Sequence, residues 1–140
     1  VRQKGIKAFK IVTADRESIV PLYISYCSGE DLWQAEELID RLKACKVFKT
    51  YKVGHTIKAV KYMPGLLCFK TYDRARQFML GQAETLIGCK TIEVRGFDQE
   101  PEPRLLSAVL WQWESLSDNT NRKYYPPSRT IAFRRVRVVT

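Results

Sequence analysis

No C-x-x-C pair occurs among the four cysteines, Cys27, Cys45, Cys68 and Cys89, and the one histidine, His55, lies ten residues from the nearest of them. A structural zinc site draws its ligands from close-spaced pairs, so none is expected here. No uninterrupted apolar run approaches the ~20 residues of a membrane-spanning helix. There is no Gly-rich phosphate loop, no G-x-S-x-G elbow and no H-E-x-x-H, so neither a nucleoside-triphosphate machine nor a familiar hydrolase can be read from motifs. A secretory apolar segment behind a basic start is missing as well. Three cysteines have apolar or aromatic neighbours, in Tyr26-Cys27, Ala44-Cys45 and Leu67-Cys68-Phe69. They read as reduced, buried thiols in a cytosolic protein, with no cofactor or metal.

What remains is an ordinary globular composition with a cationic surplus. The 140 residues are 45% hydrophobic and 28% charged, and 24 Lys+Arg against 15 Asp+Glu leave a net charge of +9. This length suits a single domain over 1–140. The charge is uneven. Residues 1–10 carry +4, 11–40 carry −6, 41–70 carry +8 without an acid, 71–120 carry −3, and 121–140 carry +6 without an acid.

Periodicity predicts strands over 7–13, 22–26, 66–69, 91–94 and 130–138, and a hairpin of 46–53 with 56–61 turning at Gly54-His55. Leu32, Ala35, Ile39 and Leu42 recur at helical spacing through 30–44. Its acids lie towards the amino end and Arg41 and Lys43 towards the carboxyl end, which complements the helix dipole. Thr71 is placed to cap a second helix over 72–82, with Tyr72, Ala75 and Met79 on one face. Residues 104–114 fit helix or strand, with tryptophans at 111 and 113 favouring strand, and 115–128 predict a long mobile loop. The sum is an α+β fold: a mostly antiparallel twisted sheet of five to seven strands with two or three helices packed on it.

The functional expectation follows the charge. Basic and aromatic residues interleave in Phe48-Lys49-Thr50-Tyr51-Lys52, in Lys61-Tyr62, in Phe69-Lys70-Thr71-Tyr72 and in Arg122-Lys123-Tyr124-Tyr125. In the last strand, Arg135 and Arg137 project from one face, roughly 6.8 Å apart by strand geometry. Such surfaces release counterions from phosphates and stack unpaired bases. The expected role is therefore non-enzymatic binding of a polyanion, foremost nucleic acid, through Arg134, Arg135, Arg137, Lys49, Lys52, Lys58 and Lys61. An acidic protein surface is the other anionic partner.

Two alternatives stand beside it. One is a nucleotide-processing pocket of His55 and Thr56 with Tyr51, Tyr62, Glu84 or Glu93, for which no nucleophile–base–orienter spacing is visible. The other is an interaction module or homo-oligomer using Trp111 or Trp113, with Trp33 assigned to the core of the first helix.

One resemblance spans residues 7–96. Lys7-Ala8-Phe9-Lys10-Ile11-Val12-Thr13 is followed by Pro21-Leu22-Tyr23-Ile24 and Tyr51-Lys52-Val53-Gly54-His55-Thr56. Gly65-Leu66-Leu67-Cys68-Phe69-Lys70-Thr71, with Ala75 and Phe78, and Ile92-Glu93-Val94-Arg95-Gly96 complete the series. This layout resembles small uncharacterised proteins of phages and other mobile elements such as integron cassettes. The resemblance implies an accessory gene product, cytoplasmic in a bacterium, and supplies no catalytic residues.

Overall fold

A computed structural model describes residues 4–19, 36–37, 39–40, 43–44, 46, 48–61, 65–81, 86–101 and 129–140. The expected strand at 22–26, Trp33, Trp111, Trp113, the 104–114 segment and the 115–128 loop lie outside the described residues.

Alternation decides each strand. In β1 (Ile6–Val12), Ala8, Lys10 and Val12 face inward; in β2 (Thr56–Lys58), Ile57 does; in β3 (Leu66–Phe69), Leu66 and Cys68 do. β4 (Lys90–Gln99) turns Ile92 and Val94 inward, and β5 (Thr130–Val138) turns in Ile131, Phe133, Val136 and Val138. The parity of β5 shifts between Phe133 and Val136, where Arg134 and Arg135 are both half-exposed.

All pairings are antiparallel. β1 runs beside β4 over its whole length and meets β3 at Phe9 and Phe69. β5 pairs along one edge with β3 through Thr130–Phe133 and then with β2 through Arg135–Arg137, while its other edge pairs with β4. The circuit β1–β3–β5–β4–β1 therefore closes, and four strands form a small barrel with β2 added alongside. β4, ten residues long, reaches two neighbours and β5, nine residues long, reaches three, and closure removes the open edges a sheet would expose.

The expected α+β sheet with two or three helices on it is thus corrected: the fold is mostly β, and one helix is described over its full length. Alternation is the same in a barrel and in a sheet covered on one face, so the pattern alone could not separate them. The expected 46–53/56–61 hairpin is also corrected. A turn does form, with the His55 N–H donating to the Lys52 carbonyl at 3.1 Å and Gly54 at φ 81°. The backbone leaving it bonds to β5 instead: Gly54 N–H to the Val138 carbonyl, and Val138 N–H to the His55 carbonyl.

The helix, α1 (Tyr72–Gly81), begins where Thr71 Oγ1 accepts from the Arg74 N–H at 3.2 Å. It lays Ala75, Phe78 and Met79 over Ile11 and Phe69 on the outside of the barrel. In the 30–44 stretch, Glu36, Glu37, Ile39, Asp40, Lys43 and Ala44 are helical, and the other residues lie outside the described set.

Among the described residues, one cation, Lys10, is buried in the barrel interior. Lys10 Nζ donates to the Leu67 carbonyl at 2.8 Å and lies over the Tyr51 ring, 4.9 Å from its centroid. Burial holds its pKa below the ordinary 10.5. Burial also pushes the neighbouring Cys68 thiol up to about 11. Between the lowered Lys10 value and 10.5, the unfolded chain binds a proton that the folded chain does not. The penalty is complete below the folded pKa and lifts as pH rises. Wild type should therefore gain urea stability relative to Lys10→Met between pH 7 and pH 10, and a difference that stays flat over this range would contradict a buried, weakened ammonium.

Candidate functional site

Side chains that alternate out of the barrel opposite the inward set form one wall. Ile57, Val136, Val94 and Ala8 point in, so Thr56 and Lys58, Arg135 and Arg137, Arg95, and Lys7 point out. Register aligns them. Thr56 lies opposite Arg137, Arg137 opposite Arg95, and Arg95 opposite Lys7. With strands about 4.8 Å apart, this row of one hydroxyl and three cations crosses roughly 14 Å of sheet. A second row follows, with Lys58 opposite Arg135 and Arg135 opposite Phe97.

Thr56, Arg95, Arg135 and Arg137 from these rows, together with Lys4, line an open groove of about 600 Å³; Lys7 and Lys58 do not line it. Phe97 and Gly5 complete the lining. A Cβ on Gly5 would come within 2.9 Å of the Phe97 ring, so the missing side chain lets β4 bring that ring close against the backbone. Arg135 lies over the ring, its Cζ 4.8 Å from the centroid, and its Nε donates to Asp98 Oδ2 at 3.2 Å. Asp98 adopts a left-handed backbone, φ 56°, at this point.

Charge is unevenly compensated. Arg135 has Asp98, and Lys7 Nζ sits 3.6 Å from Glu93. Among the described residues, no carboxylate lies within ion-pair distance of Lys4, Lys58, Arg95 or Arg137. Like charges directly opposite one another in a sheet are destabilising. The Arg137–Arg95 pairing therefore works against the fold rather than for it.

Of the seven residues expected from sequence, Arg135 and Arg137 line the groove, and Lys58 stands opposite Arg135 on the same wall without lining it. Arg134 does not join them: it donates to Glu100 Oε1 and to the Val60 carbonyl, both at 2.8 Å, and is a fastening between β5 and its neighbours. Lys49 sits beside the Glu17–Thr50 bridge, Lys52 in the turn before β2, and Lys61 three residues beyond it; none lines the groove. Lys4, Thr56, Arg95 and Phe97 were missed as binding residues. The alternation of Arg95 and Phe97 around Gly96 was the available signal, hidden inside a segment with net negative charge.

Of the pocket expected around His55 and Thr56, Tyr62 and Glu84 lie outside the described residues, and no hydrogen bond or ion pair joins the side chains of the described members. His55 is exposed in its turn, Tyr51 is 1% exposed inside the barrel, and Glu93 faces Lys7. Among the described residues, no group of three His, Cys, Asp or Glu is placed to hold a metal ion. No helix among them is long and apolar enough to cross a membrane. Comparison with protein-family models, curated proteins and solved structures finds no match for this chain.

Proposed function

We propose that this protein is a cytosolic accessory protein that binds nucleic acid through the cationic groove on the outer wall of β2, β5, β4 and β1. The observation that carries the reading is the row Arg137–Arg95–Lys7, held in register although Arg95 and Arg137 have no carboxylate partner among the described residues. Two adjacent cations without carboxylate partners, Arg95 and Arg137, have an unfavourable self-energy, which an incoming phosphate backbone relieves while releasing its own counterions. The Phe97 ring under Arg135 adds an apolar surface that a plain phosphate site does not need.

Titration of a fluorescein-labelled thymidine 12-mer with the full chain tests it. Anisotropy should report a Kd roughly between 10⁻⁶ and 10⁻⁴ M near physiological salt. No anisotropy change with this strand or with a 12-base-pair duplex up to about 1 mM protein at that salt overturns the proposal.

A further inference from the structure

Resting on the reading above, we infer that the groove takes an unpaired strand, seating one base against the Arg135–Phe97 pair while flanking phosphates meet Arg95, Arg137 and Lys4. Three observations combine. The site is concave, about 600 Å³, whereas a duplex is read by convex elements that enter its own grooves. A strand whose bases are free can instead enter a cleft.

The cations also differ in what they have left to offer. Asp98 offsets the charge of Arg135 through Nε, and among the described residues no hydrogen bond engages its terminal amino groups. A guanidinium held over a ring and partly neutralised is a platform for a flat, uncharged surface, and bases stack on both aromatic and guanidinium planes. Arg95 and Arg137 keep their full charge for phosphates.

The spacing completes the case. Arg135 and Arg137 are about 6.8 Å apart along β5, and Arg95 lies one strand away from Arg137. A base and its adjoining phosphates therefore fall within reach of different side chains at once.

The experiment compares the full chain on a labelled thymidine 12-mer, an abasic 12-mer and a 12-base-pair duplex at one salt concentration, with wild type and Arg135→Lys. The substitution keeps the charge and removes the plane. Wild type should bind the thymidine strand about fivefold or more tighter than the abasic strand, and tighter than the duplex. Arg135→Lys should lower thymidine binding towards the abasic level and weaken abasic binding far less. Phe97→Leu, which keeps an apolar surface, should act in the same direction, with melting curves confirming that both variants fold. Equal binding of thymidine and abasic strands, duplex binding as tight as single-strand binding, or equal weakening of both strands by Arg135→Lys overturns the inference while leaving general polyanion binding in place. Failure of every ligand to bind removes both.

Discussion

Arg95→Glu should weaken oligonucleotide binding on the order of 100-fold at ~0.1 M salt and make the protein more stable. Arg95 stands between Arg137 and Lys7 in the register, so a carboxylate there faces a cation on each side. Each opposite-charge cross-strand pair contributes roughly 0.2–1 kcal/mol, replacing a repulsion of similar size. Binding moves the other way. One phosphate contact is lost, a repulsive charge is added, and Arg137 acquires an internal partner. Opposite signs on affinity and stability separate this outcome from simple misfolding, in which both fall together. Urea unfolding and anisotropy on the same preparation make the check. A variant that is less stable, or that binds as well as wild type, contradicts the assignment of Arg95.

Gly96→Ala should be the most damaging small substitution in the barrel, costing about 3 kcal/mol. An ideal Cβ at that position falls 2.3 Å from Phe133 Cε2 and 2.4 Å from both Cδ2 and Cγ. Phe133 is fully buried, so its ring has nowhere to move without disturbing Leu66, opposite it on β3. The contact matters because Gly96 is where β4 pairs with β1 at Ile6 and with β5 at Val136, the join that closes the barrel. A melting temperature lower by about 10 °C is expected. Adding Gly96→Ala to a Phe133→Leu background should cost less than adding it to wild type, because the smaller side chain leaves room for the methyl group. Equal costs in the two backgrounds contradict a Gly96–Phe133 clash.

Local features were readable from the sequence to different depths. Thr71 as a helix cap and the strands at 66–69 and 130–138 follow from short-range chemistry, and each forms near its expected bounds. Barrel closure was not readable. It depends on β4 pairing on both edges, and inward alternation of Ile92 and Val94 is the same whether β4 has one partner or two. β2 was assigned to the wrong neighbour for a related reason: Gly54-His55 has the composition of a hairpin turn, while the partner strand lies about eighty residues away.

The groove shows the same division. Arg135 and Arg137 stood out because Val136 and Val138 alternate with them. Arg134 looked equivalent by charge, yet Glu100 and the Val60 carbonyl hold it, a pairing that no count of charges along the chain contains. Arg95 was concealed by its acidic surroundings, since net charge per segment averages away a side chain whose neighbours point elsewhere.

Counterion release at Arg95 and Arg137 is the quantity on which the binding site stands, and the salt dependence of affinity reads it. Log Kd for the thymidine 12-mer should be measured against log salt for wild type and for the doubly neutral variant Arg95→Gln/Arg137→Gln. Each phosphate contact on a single strand contributes about 0.7 to the slope, so removing two should flatten it by roughly 1.4. Parallel lines for the two proteins would place the phosphate contacts elsewhere on the molecule and contradict the assignment of this groove.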